Sequence, residues 1–242
     1  MTTHSRIKQL LIAMIALLAG HTWATDLYVS PTGSETGGTT WSTAYKNLQN
    51  ALQAAASGTT IHMAGGIYLL TNQVVWTSSQ SGVTIRGGYE AAGDEDLPGD
   101  NDPTRWPTVV TSARTSNHRL FKLSGVQDGT IENITCTGAF NARTAAADAQ
   151  GGALAIESCA NIRVSNCVIS NNHAETTGSG TTCQGGGLYV SDSRLTLIGC
   201  LLDGNTVKSA GGSSSYGGAV AYDAGSVCFF DNCVFRNNML LW

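Results

Sequence analysis

The chain is poor in charge. Lysine, arginine, aspartate and glutamate make up only 12% of its 242 residues. That excludes an architecture of long solvated helices laced with ion pairs. Proline is scarce at 4 residues and aromatic residues at 7%. No cysteine precedes Cys136, so no early thiol is present for lipoprotein anchoring. The seven cysteines form no CxxC pair and the five histidines are scattered, so no zinc pattern emerges. After residue 20 no apolar run is long enough to span a bilayer.

What is present starts with an export signal. Arg6 and Lys8 precede the apolar run "LLIAMIALLAG", and "HTWA" puts Thr22 and Ala24 at the small-residue positions before a cut. Residues 1–24 therefore read as a signal peptide, and the mature chain as exported. Its removal leaves 11 basic residues against 17 acidic ones, a formal charge of −6. An acidic chain of this kind argues against nucleic acid and anionic lipid as partners.

Glycine is abundant at 29 residues, and the C-terminal half repeats. "NCVISNN", "GCLLDGN" and "NCVFRNN" begin at positions 166, 199 and 232, at one constant interval. The period is about 33 residues, within the range that marks stacked repeat architectures. Ile131, Val164, Leu197 and Phe230 form one apolar column at that period, and Cys136, Ile169, Leu202 and Phe235 another. Ile134, Cys167, Cys200 and Cys233 form a third. A second phrase precedes each unit, opening on Gly151-Gly152, Gly185-Gly186 and Gly217-Gly218. Apolar residues alternate within these phrases at a spacing of two, the period of a strand. About three short strands per period are expected. Such a unit cannot bury its apolar face alone, and stacked copies can. The implied architecture is all-β, a parallel β-helix, preferred over a β-sandwich, which needs no fixed period.

Asn172, Asn205 and Asn238 follow the apolar columns by three residues and are expected at left-handed turns, with bonds from coil to coil. The cysteine column reads as a small, buried, reduced stack. Serine at Cys200 is expected to bury a hydroxyl without an obvious partner. The number of cysteines is odd, so at least one is free or pairs outside the chain.

In the N-terminal half, residues 27–30 read as a strand. Ser42 reads as the cap of a helix carrying Tyr45, Leu48, Leu52 and Ala55 on one face and stopped by Gly58. Segment 25–70 is expected to cap the first coil, and 71–242 to form coils of the repeat period, incomplete at the C-terminus. An acidic loop holds Asp94, Asp96 and Asp100, the candidates for calcium, and reads more simply as a solvated turn. No cofactor is expected.

The opening "YVSPTGS…W…A…LQ.AL", then "GVTIRGGYE", then the GGA-[ILV] and C-x-[IF]-x-x-N repeats resemble exported bacterial right-handed parallel β-helix proteins. The repeats resemble those of chlamydial polymorphic outer-membrane proteins, and the N-terminal part resembles anchored surface proteins of environmental bacteria. The resemblance implies a right-handed solenoid and a surface-exposed or secreted, adhesin-like role toward a glycan or a neighbouring cell. The pectate-lyase-like solenoid also hosts polysaccharide lyases and glycoside hydrolases, the alternative class. Those enzymes need paired acids or bound calcium with a basic residue. Glu157 and Asp223 share one column and are the catalytic candidates, with Ser191 between them. The non-catalytic reading is preferred. The last repeat is as apolar as earlier ones, which implies either a fragment of a longer repeat array or end-to-end self-association.

Overall fold

A computed structural model describes residues 25–92, 97–144, 147–178, 180–209 and 214–241. The export signal, Asp94 and Asp96 lie outside the described residues. The chain winds as a parallel β-helix. Five sheets run along its axis, and every pairing between their strands is parallel. Sheet 1 has seven strands from Leu27–Val29 to Val227–Asp231, and sheet 2 has six from Gly66–Leu70 to Val234–Arg236. Sheet 3 has four strands from Phe140–Arg143 to Met239–Leu241. Sheet 4 has three, from Ala149–Gln150 to Ser214–Tyr216. Sheet 5 has five, from Val74–Thr77 to Val220–Tyr222. A regular coil visits sheets 1 to 5 in turn, so it holds five short strands where three were expected. The two extra strands, such as "HAET" and "TCQ", are too polar to stand out as apolar alternation.

Register explains the repeat. Ile131 lies opposite Val164, Val164 opposite Leu197, and Leu197 opposite Phe230. The column continues upstream through Ile85 and Ile61 to Leu27. In sheet 2, Tyr68, Val110, Cys136, Ile169, Leu202 and Phe235 stack in the same way. Apart from Phe230 and Phe235 in the last coil, these inward side chains form one continuous core. Burying each aliphatic member contributes roughly 1.5–3 kcal/mol.

The expected constant period holds only from Phe121 onward. Upstream, the coil from Ile61 to Ile85 is shorter than the repeat, and the coil from Ile85 to Ile131 is longer. The longer one carries extra residues between the strands Thr84–Tyr89 and Thr108–Ser112, and among the described residues the early coils show no strands of sheets 3 and 4. Strands of segment 25–70 belong to the long sheets themselves, Leu27–Val29 and Thr60–Ala64 to sheet 1.

The helix is shorter than expected. It spans Leu48–Ala54, and its cap is Asn47 rather than Ser42, with Asn47 Oδ1 accepting from the Gln49 N–H at 2.9 Å. Residues before it are engaged elsewhere. Tyr45 bridges Val29, and one Glu35 carboxylate oxygen accepts from the N–H groups of Lys46 and Asn47 at 2.8 and 2.7 Å. Ala55, not Gly58, ends the helix in extended backbone.

The left-handed turns are displaced by one residue from the asparagines expected to form them. Asn171, Gly204 and Asn237 have φ of 54°, 65° and 53°. Asn172, Asn205 and Asn238 instead point inward as a hydrogen-bonded ladder. Asn172 Nδ2 donates to Asn205 Oδ1 at 3.0 Å, and Asn205 Nδ2 to Asn238 Oδ1 at 2.9 Å. Their backbone N–H groups reach the same acceptors, at 3.2 and 3.0 Å. The Gly-Gly pairs divide their labour. Gly151, Gly185 and Gly217 take φ of 70°, 69° and 63°, and a side chain on Gly152 or Gly186 would overlap the carbonyl of the next coil.

Candidate functional site

The strands of sheet 5 send alternate residues inward and outward. Leu154 and Ile156 enter the core, so Glu157 ends its strand on the outer face. Register places Glu157 opposite Ser191, and Asp223 follows as the next member of the column. The two carboxylates are therefore two coils apart, about 9.6 Å between backbones. The structure does not bring them into contact.

Each is committed locally. Asp223 Oδ2 accepts from Ser191 Oγ at 2.6 Å, and Oδ1 accepts from Ser226 Oγ at 2.8 Å and the Asp192 N–H at 3.2 Å. The Ser191 hydroxyl, seconded by Ser226 and the Asp192 N–H, holds this carboxyl below the usual aspartate range. It is an ionised acceptor at neutral pH. Glu157 Oε2 lies 3.0 Å from Lys122 Nζ, and its Oε1 is 3.8 Å from Arg119 Nη1.

Arg119 and Lys122 escaped the sequence reading. Their signal was register. "HRLFKLSG" stands one period before "GGALAIES", with Phe121 opposite Leu154, so Arg119 stands at the level of Gly152 and Lys122 opposite Ala155. A long cation beside a glycine and an alanine has room to lie along the face. Arg119 is only 7% exposed, and its Nε and Nη1 have no hydrogen-bond partner. Burial pushes this guanidinium down to about 10, Glu157 opposes the shift, and the nearby Arg143 charge adds to it. His118 precedes it, its Nδ1 2.7 Å from the Arg119 carbonyl and its buried Nε2 without a partner. Beside the charges, Tyr189 is buried between Ala155 and Ala221 in a small apolar cluster separate from the core.

Among the calcium candidates, Asp100 is described and exposed. Its neighbour Asp102 caps a turn, accepting from the N–H groups of Thr104 and Arg105. Among the described residues no three histidine, cysteine or acidic side chains converge as a metal site. A cleft of about 390 Å³ lies at the other end, lined by Lys46, Gln49, Ile67 and Leu69 among others, and includes none of the candidate residues. No helix among the described residues is long and apolar enough to cross a membrane.

No protein-family model matches the chain. No curated protein matches it either. Five solved chains resemble it in fold, among them these two. One, a candidate glycosyl hydrolase from Parabacteroides merdae ATCC 43184, is 12% identical with a TM-score of 0.39, over 78% of this chain and 88% of that one. The other, a rhamnogalacturonan lyase, is 11% identical with a TM-score of 0.45, over 89% of this chain and 74% of that one.

Proposed function

We propose that this chain is an exported, non-catalytic β-helix of the surface-protein kind, an extended scaffold that binds a glycan or a neighbouring cell surface. One observation carries the reading. The two acids that share a column, Glu157 and Asp223, stand two coils apart without contact, each engaged by neighbouring side chains. A general acid must hold a proton near neutral pH, and a nucleophile or base needs a free lone pair facing the substrate. Asp223, held low by its hydroxyl and N–H donors, does not carry the proton a general acid needs, and Glu157 is not brought to it as a partner. Regular outer faces on five sheets, by contrast, suit binding along a length of solenoid.

The test measures catalysis directly. Mature protein is incubated with mixed plant and algal polysaccharides, with calcium and with chelator, and reducing ends and unsaturated uronides are followed. No release is expected. Release abolished by Glu157→Gln or Asp223→Asn would establish the lyase or hydrolase alternative. Export is tested by fractionating cells that express the chain with and without residues 1–24. Only the longer form should leave the cytoplasm.

A further inference from the structure

We propose that the outer face of sheet 5 holds an anion site for the carboxylate or sulfate groups of an acidic glycan, with Arg119 and Lys122 as its cations and Glu157 as a resident competitor. The inference rests on the binding role proposed above and names its ligand class.

The guanidinium of Arg119 is the starting point. It presents its donors as a rigid planar fork that fits a carboxylate or sulfate at two points. Here two of those donors are buried and unmatched. Buried donors without partners are rare and call for an explanation. Glu157 nearly supplies one. Its Oε2 is held by Lys122 at 3.0 Å, and its Oε1 stops 3.8 Å from Arg119 Nη1, too far for a hydrogen bond. Tethered to the end of its strand, this carboxylate satisfies Lys122 and falls short of Arg119. An untethered anion has no such constraint and can bond both cations.

The surroundings admit the exchange. The Glu157 side chain is 28% exposed and that of Lys122 35%, so both face solvent. Ser158, the next residue, is a left-handed bend. Glu157, at the end of its strand with a partly exposed side chain, would turn outward as the anion enters and leave Arg119 to it. Arg143 adds positive charge nearby, so the cluster is cationic on a chain that is acidic overall.

The experiment titrates the mature chain with oligogalacturonate, dextran sulfate, neutral dextran and inorganic sulfate, by calorimetry at low salt. One or both polyanions should bind and neutral dextran should not. Oligogalacturonate alone assigns the site to carboxylates, dextran sulfate alone to sulfate esters, and inorganic sulfate should compete with whichever binds. Glu157→Gln removes the competitor and should tighten binding about tenfold, which a merely structural ion pair would not do. Arg119→Lys keeps the charge but loses the fork, and should weaken binding about tenfold while circular dichroism stays unchanged. Lys122→Met should weaken it comparably. Unchanged or weaker binding by Glu157→Gln, or Arg119→Lys equal to the parent, overturns the site and leaves the scaffold reading untouched. Uronide release by the parent chain overturns the non-catalytic reading and leaves the site standing.

Discussion

At the scale of single residues, five corners of the coil, those between sheets 5 and 1 and between sheets 1 and 2, share one pattern. A residue in left-handed backbone is followed by one whose side chain donates back to the carbonyl two positions earlier. Ser158, Asn166 and Asn232 are left-handed, and Cys159, Cys167 and Cys233 then donate to Glu157, Ser165 and Asp231 at 3.2, 3.2 and 3.3 Å. Gly199 and Cys200 follow suit, with Cys200 Sγ 3.5 Å from the Ile198 carbonyl. After Asp192, Ser193 does the same with a hydroxyl at 2.6 Å. The seven cysteines are all unpaired, and burial pushes Cys136 up to about 12 and Cys183 to about 11. Those two thiols remain protonated at neutral pH. The hydroxyl of a Cys200→Ser variant therefore has a ready acceptor, contrary to the sequence expectation. Its cost should be about 1 kcal/mol or less by denaturant unfolding. A loss above about 3 kcal/mol would show that the sulfur's bulk, not its donor, matters there. Asn205→Ala is the opposite case. It strips partners from the Ile169 carbonyl and from both the N–H and amide of Asn172, all buried. A loss of roughly 2–4 kcal/mol is expected in the same experiment. An effect under about 1 kcal/mol would mean that water replaces the ladder.

At the scale of the strand, sheet 3 carries a charged ladder on its outer face. Glu175 Oε1 meets Lys208 Nζ one coil on at 2.8 Å, and Oε2 meets His173 Nε2 at 3.1 Å, with Phe140 stacked 5.0 Å above the imidazole. Partial burial pushes the Glu175 carboxyl up, and Lys208 with His173 outweighs it, leaving it below the usual range. A carboxyl depressed by folding stabilises above its unfolded pKa, and that stability is lost as pH falls through the folded value. Lys208→Met should therefore lower Tm at pH 6–8 by the equivalent of about 0.2–1 kcal/mol, and leave it nearly unchanged below about pH 4. A difference that persists in acid would show lost packing of the lysine stem instead. This sheet also shows where sequence reading ran out. Sheets 1, 2 and 5 were legible because Ile131, Val164, Leu197 and their like alternate and recur. Sheets 3 and 4 were not, because their inward positions are small or polar, such as Ala174, Thr176 and Cys183, and resemble turn residues. The carboxylate column of Glu157 and Asp223 was visible from spacing. Its cations were not, because Arg119 stands where later repeats carry glycine.

At the scale of the molecule, the two ends of the solenoid differ. At the N-terminal end the helix Leu48–Ala54 packs Leu48, Ala51 and Leu52 into the core. Gln49 completes the closure, because its side-chain amide imitates a strand. Nε2 donates to the Val75 carbonyl at 3.0 Å, and Oε1 accepts from the Val75 N–H at 2.6 Å. Among the described residues the last coil has no such cover. Strands Ser214–Tyr216, Val220–Tyr222, Val227–Asp231, Val234–Arg236 and Met239–Leu241 are each paired on one side only. Phe230, Phe235 and Leu240 are 37%, 43% and 38% exposed, whereas Leu197, Leu202 and Val207, one coil earlier in the same columns, are all at 0%. Unpaired strand edges and an apolar surface of this kind favour association. A head-to-tail contact is hindered, since the helix covers part of the end it would meet. Two open ends can meet about a two-fold axis, strands antiparallel, and bury both surfaces in one closed contact. The 242-residue chain, taken by itself, should therefore dimerise reversibly, seen as a rise in weight-average mass with concentration in light scattering. Phe230→Asp with Phe235→Asp should return it to monomer with circular dichroism unchanged, because both rings already face solvent. Growth beyond the dimer into filaments would refute the two-fold contact. A parent chain that stays monomeric at hundreds of micromolar, with protected amides across residues 227–241, would show that the open end needs no cover.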